Sequence, residues 1–151
     1  PWLTAAFTAL KRLSSFICLE IFLRTASLPD SGVDVLMGVG GSPEAVLTAA
    51  AIRCIGGAIE CKPWPRTPEE RQEAIDSGID VDHVYPTEEL VSGDDVFFSA
   101  TGASTGDLLR GVRYYGHGAE TQSLVMRSRS GTVRWIDATH NFERLDKIRY
   151  S

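Results

Sequence analysis

The chain has little of what would mark a disulfide-rich, membrane-spanning or nucleic-acid-binding protein. It has three cysteines, an odd number without a Cys-x-x-Cys pair, so neither a disulfide framework nor a zinc site is indicated. No apolar run approaches the roughly 20 residues that a transmembrane helix needs. Acidic residues outnumber basic ones by 20 to 15, which argues against nucleic acid as the main partner. These absences favour a globular protein of a reducing compartment, with no membrane partner.

Common ligand-binding motifs are also missing. The sequence contains neither the P-loop motif nor the Gly-x-Gly-x-x-Gly fingerprint of dinucleotide-binding proteins. His83, His117 and His140 lie far apart in the sequence, without ligand spacing, so we assign them no metal or catalytic role. Cys54 falls within an apolar helical pattern, which is typical of a small core residue.

The pattern that is present alternates between strands and helices. Val33–Val39 reads as a buried strand that ends at two glycines. Ser42 is then expected to cap a helix, with Pro43 at its first position. A glycine pair, Gly56-Gly57, is expected to end that helix.

The alternation continues beyond this helix. Ala58–Trp64 and Asp94–Ala100 are predicted strands, and a helix capped by Thr67 is predicted to close near Ser77-Gly78. A short extended piece at Val81–Tyr85 and a helical turn at Thr87–Val91 lie between them.

After Asp107 the pattern becomes rich in β-forming residues. Val112–Tyr115, Glu120–Arg129 and Thr132–Thr139 are strand candidates, and Ser130-Gly131 is a hairpin turn between the last two. The whole pattern predicts an α/β layered sandwich with a mixed sheet. We divide the chain into a divergent, helical N-terminal segment (1–26), an α/β domain (27–142) and a charged peripheral tail (143–151).

Glu44 raises the main chemical question, because it follows a strand-end glycine turn at the start of a helix. Helix N-termini attract anions, and ligands bind at the carboxyl ends of strands in open α/β sheets. Glu44 would repel a bare phosphate there. Either it only complements the helix dipole, or a divalent cation lies between its carboxylate and a phosphate.

Two further stretches have two interpretations each. Ser99–Asp107 follows a strand and either binds a polar ligand or forms a turn in which Asp107 caps the next helix. Arg127 and Arg129 would share one face of a strand, where they either clamp a phosphate or are solvated.

Several motifs, in order, resemble the C-terminal half of class II fructose-1,6-bisphosphatase, the GlpX type. The resemblance runs from about Leu28 to about Asn141. The segments that carry it are Leu28–Asp34, Gly38–Glu44, Ala50–Gly57, Gly93–Phe98, Ala100–Gly102, Gly106–Val112, Ser123–Ser128 and Ser130–Arg134.

The resemblance implies a metal-dependent phosphatase of the lithium-sensitive sugar phosphatase superfamily. Such cytoplasmic, homo-oligomeric enzymes of gluconeogenesis and glycerol metabolism hydrolyse the 1-phosphate of fructose 1,6-bisphosphate with Mg²⁺ or Mn²⁺. Some relatives also accept sedoheptulose 1,7-bisphosphate. In the family's Gly-Gly-x-Pro-Glu motif, Glu44 matches the metal-ligating glutamate and Gly41 the glycine that contacts substrate.

The sequence departs from the family in two ways. Ala45 stands where family members usually have glycine. The family's other metal carboxylates and its catalytic lysine belong to an N-terminal half that this chain does not match. We therefore expect a fragment, with Pro1–Arg24 arising from a shifted frame or a misplaced start, and little or no activity in isolation. The alternative function is a non-catalytic module that binds sugar phosphate or another subunit.

Overall fold

A computed structural model describes residues 4–6 and 37–149, with side chains from 37 to 145. Within these ranges the chain forms strands, helices and one 3-10 turn, so the predicted α/β class is confirmed. The strands are β1 Thr4–Ala6, β2 Val39–Gly41, β3 Glu60–Pro63, β4 Tyr85–Pro86, β5 Phe97–Thr101, β6 Arg113–Tyr115, β7 Gly118–Arg127 and β8 Thr132–Asn141. The helices are α1 Ser42–Cys54, α2 Pro68–Asp76, α3 Thr87–Leu90 and α4 Phe142–Arg149, and the 3-10 turn is Ser128–Ser130.

The described strands form two sheets, and every described pairing between neighbours is antiparallel. The first sheet has the order β2-β1-β3-β4, so β2 and β3 run in the same direction on either side of β1. In the second sheet β7 is central. It pairs along its whole length with β8 on one side, and with β5 and β6 in turn on the other. The strands predicted for a single mixed sheet are thus divided between two sheets.

Helix α1 contributes to the cores of both sheets. Ala45, Ala49 and Ile52 join a cluster with Cys61 of β3 and Ile59 just before it, and the spacing of the three places them on one face of the helix. Ala51 and Cys54 point into a second cluster with residues of β5 and β7. Burial on both sides explains why this helix is apolar nearly all round. The second cluster also contains Phe98, Leu109, Leu124 and Met126.

The helix ends follow the predicted capping chemistry at two places. Thr67 caps α2, where its hydroxyl accepts a hydrogen bond of 3.2 Å from the Glu70 N–H. Helix α1 ends at Cys54, and Gly56 follows with φ +79°, a left-handed conformation that favours glycine.

The start of α1 differs from the prediction. Gly41 is the N-cap, with φ −75° and ψ 158°, and Ser42 is already the first helical residue. Gly40 and Gly41 do not break the strand either, because they pair with Ala5 and Thr4 of β1. Residues 33–36 of the predicted strand lie outside the described residues.

The N-terminal end departs from expectation, and the C-terminal end forms a helix that was not predicted. Most of the predicted N-terminal helix lies outside the described residues, but Thr4–Ala6 form a strand because β2 and β3 offer them backbone partners. The expected charged tail is largely helical, as Phe142–Arg149 form α4 beside β7 and β8. In the portion described, no helix has the length and apolar character needed to cross a membrane.

Candidate functional site

The predicted site lies where β2 ends and α1 begins. Gly41 is in extended conformation, Pro43 lies in the first turn of the helix, and Glu44 is the third helical residue. Because proline lacks an N–H, it suits a first turn, whose backbone donors have no partner within the helix. The partial positive charge of those donors favours a carboxylate nearby.

The structure brings the two predicted site residues into direct proximity. The Glu44 carboxylate folds back over Gly41, so that a Cβ on Gly41 would collide with Oε2 and lie 3.2 Å from Cδ. A Cβ on Gly40 would have nothing within 4 Å, so close approach requires only the second glycine. Glu44 is half-buried, so its side chain keeps some exposure to solvent at the mouth of the turn.

A divalent cation needs more ligands than this turn provides. Mg²⁺ prefers six oxygen ligands in octahedral geometry, and Glu44 supplies at most two oxygens. Among residues 37–145 there is no group of three His, Cys, Asp or Glu side chains that could hold a metal ion. The described residues therefore do not fit a complete metal centre, and Glu44 fits the role of one ligand only.

One interpretation of Ser99–Asp107 was a turn. Ser99–Thr101 belong to β5, and the residues that follow them form a turn. Gly102 N–H donates to the Gln122 carbonyl, and Val112 N–H donates to the Ala103 carbonyl at 3.2 Å. The expectation that Asp107 caps a helix is wrong, because no helix follows it before β6. The loop closes on itself instead, since Gly106 N–H donates to the Leu109 carbonyl at 3.0 Å.

The predicted arginine pair does not share a strand face. β7 ends at Arg127, and Arg129 lies in the 3-10 turn that follows. Arg127 binds Asp95 through Nε at 2.9 and 3.1 Å and through Nη2, and its guanidinium lies 5.0 Å from the Phe97 ring centroid. This contact lowers the pKa of Asp95 through the hydrogen bond from Arg127. Arg127 thus anchors the start of β5 through its ion pair with Asp95.

The described cysteines are core residues, as predicted for Cys54. Cys54 and Cys61 are both free thiols and buried. Burial raises the pKa of the Cys54 thiol and raises that of Cys61 to about 11. Because the thiolate is the reactive form, neither residue is an activated nucleophile at neutral pH.

The histidines contact separate partners. His83 Nε2 lies 2.8 Å from a Glu89 oxygen, and His140 Nε2 lies 2.9 Å from the Thr121 hydroxyl. His117 lies 4.0 Å from Glu143. Each of the three thus has a different neighbour on a different part of the chain.

A second polar feature was not predicted from the sequence. A cavity of about 560 Å³, which we call the polar cavity, lies between the loop at 105–112 and strands β6, β7 and β8. Its charged lining consists of Arg110, Arg113, Glu120 and Asp137. From the sequence, the predicted hairpin turn at Ser130-Gly131 could have been used to align β7 with β8, which form part of the cavity wall. Nothing in the sequence indicated where the loop folds.

Comparisons with known proteins agree with the family resemblance. The sequence model of the family described as bacterial fructose-1,6-bisphosphatase, glpX-encoded, matches residues 22–140. A protein of Synechococcus sp. (strain JA-2-3B'a(2-13)), named D-fructose 1,6-bisphosphatase class 2/sedoheptulose 1,7-bisphosphatase, is 43% identical over 129 residues. That alignment covers 77% of this chain and 37% of the relative.

A second relative comes from a different bacterium. Fructose-1,6-bisphosphatase class 2 of Haemophilus influenzae is 39% identical over 134 residues, covering 80% of this chain and 40% of the relative. The chain thus spans well under half the length of the curated relatives it matches. The family match extends from before the Gly41–Glu44 turn to His140 in β8, and so includes the second sheet and every strand of the first sheet except β1. The chain belongs to the family of bacterial, glpX-encoded fructose-1,6-bisphosphatases.

Proposed function

We propose that this chain carries the Glu44 part of a metal-dependent phosphatase site that acts on the 1-phosphate of fructose 1,6-bisphosphate. The proposal includes the lithium-sensitive sugar phosphatase superfamily, a role in gluconeogenesis, a cytoplasmic location and assembly as a homo-oligomer. The observation that carries it is the half-buried Glu44 carboxylate lying over Gly41 at the start of α1. The names of the relatives support the substrate class, since they specify fructose and sedoheptulose bisphosphates.

Each of the two residues has a defined role in this proposal. Glu44 is one oxygen ligand of Mg²⁺ or Mn²⁺, a hard cation that prefers carboxylate and phosphate oxygens. Gly41 lets the substrate approach the backbone, and the N–H groups at the start of α1 favour its phosphate. The absence of a Cβ at Gly41 also keeps the space in which the Glu44 carboxylate lies.

The isolated chain is expected to hydrolyse fructose 1,6-bisphosphate slowly or not at all. A single carboxylate leaves most positions around the cation to water and substrate, and water does not orient the substrate for hydrolysis. Phosphate release from the purified chain, assayed with Mn²⁺, tests this expectation. A rate near that of an intact family enzyme, lost in Glu44→Gln, would contradict it.

A second candidate function is a module that binds sugar phosphate without turnover. The described residues favour it in one respect, since they hold Glu44 but no cluster of three metal-ligating side chains. The two candidates differ in their dependence on metal. In the phosphatase site, binding of fructose 1,6-bisphosphate strengthens with Mn²⁺ and requires Glu44. A metal-independent module would bind fructose 1,6-bisphosphate as tightly in Glu44→Gln as in the wild type.

A further inference from the structure

The polar cavity shares no lining residue with the Gly41–Glu44 turn. It continues the face of β7 that carries the buried core, because Glu120 and Gln122 alternate in step with Leu124 and Met126. At that end of the face, polar side chains replace the apolar ones. A volume of about 560 Å³ lies within the range of small-molecule sites.

The cavity wall is held in place by hydrogen bonds. The Gln122 side chain accepts from the Arg110 backbone N–H at 2.9 Å and donates to Asp137 at 3.1 Å. The Gly111 N–H donates to the Thr105 hydroxyl at 3.1 Å. A Cβ on Gly111 would lie 2.5 Å from the Thr105 backbone nitrogen, so the loop packs tightly against itself. The lining is therefore preformed and does not depend on a ligand.

Two guanidinium groups face this cavity together with two carboxylates. Arg110 pairs with Asp137, and Arg113 pairs with Glu120 at 3.1 Å. All four side chains are more than 40% exposed, and exposed ion pairs contribute little to stability. Each guanidinium has five N–H donors, most of which these pairs leave unused. A ligand can therefore bind these groups at small cost.

We propose that the polar cavity binds a small hydroxylated anion of the sugar phosphate class. Arg110 and Arg113 hold the anionic group, for which guanidinium is the best-suited side chain. Glu120, Gln122 and Asp137 hydrogen-bond the hydroxyl groups. Inorganic phosphate fits less well. The two carboxylates offset the positive charge of the arginines, and phosphate has no sugar hydroxyl groups that could donate hydrogen bonds to those carboxylates.

Isothermal titration calorimetry of the full chain with fructose 6-phosphate, in the absence of metal, tests this proposal. The expected result is saturable binding that weakens at least about tenfold in Arg110→Gln/Arg113→Gln, because each substitution removes charge-assisted hydrogen bonds. Free fructose and inorganic phosphate should each bind more weakly than fructose 6-phosphate. Arg71→Gln is the matched control, since Arg71 forms a similar exposed ion pair with Asp82 away from the cavity.

A further measurement separates this cavity from the Glu44 turn. When fructose 6-phosphate is added to the wild type, the amide shifts in NMR spectra should concentrate at Gly111, Gln122 and Asp137, and not at the start of α1. No binding by the wild type, unchanged binding in the double variant, or shifts confined to the start of α1 would overturn the proposal. Failure at the cavity would leave the proposed role of Glu44 intact.

Discussion

The two sheets of the described structure differ in the way their strands are held. Strands β1 to β4 are two to four residues long. Gly41 ends β2, and Glu44 lies in the first turn of α1, which follows it. Strands β7 and β8 each have ten residues and pair at all ten positions without a bulge. The long hairpin supplies a scaffold, whereas the short-stranded sheet carries the turn at which chemistry is proposed, as is common for sites on loops over rigid elements.

The largest expected effect is on the core of the second sheet. Leu124 on β7 is fully buried in the cluster that includes Ala51 and Cys54 of α1, so Leu124→Ala should lower the free energy of unfolding by about 2–5 kcal/mol. Urea unfolding measures this change. Ile136→Ala on the neighbouring strand is the control, because Ile136 is 44% exposed and should cost much less. Equal losses in both variants would contradict the assignment of the core to Leu124.

The first sheet should be most sensitive at Thr87. Its buried hydroxyl accepts from the Ile59 N–H at 2.7 Å and donates to the Ile59 carbonyl at 3.1 Å, which joins α3 to the start of β3. Thr87→Val keeps the shape but leaves two buried backbone groups unpaired, and it should cost about 1–3 kcal/mol. The exposed Thr101→Val is the comparison in the same urea experiment, since its hydroxyl meets only Ser123. A loss no larger than that of Thr101→Val would show that the bonds to Ile59 do not stabilise the first sheet.

Two glycines at opposite ends of α1 should respond differently to alanine. Gly56 has φ +79°, so Gly56→Ala should cost about 1–2 kcal/mol from backbone strain alone. Gly41 has φ −75°, and Gly41→Ala should change the stability by less than about 0.5 kcal/mol while it displaces the flexible Glu44 side chain. Thermal unfolding of both variants decides this comparison. A large loss in Gly41→Ala would mean that the turn is needed for folding and not specifically for the position of Glu44.

A smaller effect is expected from the ion pair that anchors β5. The pKa of Asp95 is lowered by its hydrogen bond from Arg127, so the pair contributes stability above the ordinary carboxyl pKa of about 4. Asp95→Asn should be less stable than the wild type at neutral pH. The difference should shrink as the pH falls through the lowered pKa of Asp95. A difference that grows on acidification would contradict this assignment, and Asp94→Asn is the neighbouring control.

The sequence predicted those features that depend on local chemistry. The Thr67 cap, the end of α1 at Gly56, the hairpin turn and the burial of Cys54 all follow from neighbouring residues, and the structure confirms them. The proximity of Glu44 to Gly41 follows from the first turn of a helix. Local rules were therefore sufficient for the turn itself.

Features that depend on distant partners were not predicted correctly. Gly41, and not Ser42, caps α1, because pairing with β1 keeps Gly40 and Gly41 in the extended conformation of β2. Arg129 leaves the strand because Ser128 donates its backbone N–H to the Val96 carbonyl and starts a 3-10 turn. The polar cavity needs contacts between residues such as Arg110 and Asp137, 27 positions apart, which no local pattern reveals.

The most direct test of the central claim is a Mn²⁺ titration of the purified chain in the presence of fructose 1,6-bisphosphate, followed by electron paramagnetic resonance. Glu44→Gln is compared with the wild type, and Glu88→Gln is the control, since Glu88 also lies in the first turn of a helix. We predict a bound Mn²⁺ signal that requires both the sugar bisphosphate and Glu44 and is unchanged in Glu88→Gln. The same bound Mn²⁺ in Glu44→Gln as in the wild type would contradict the claim that this carboxylate is a metal ligand.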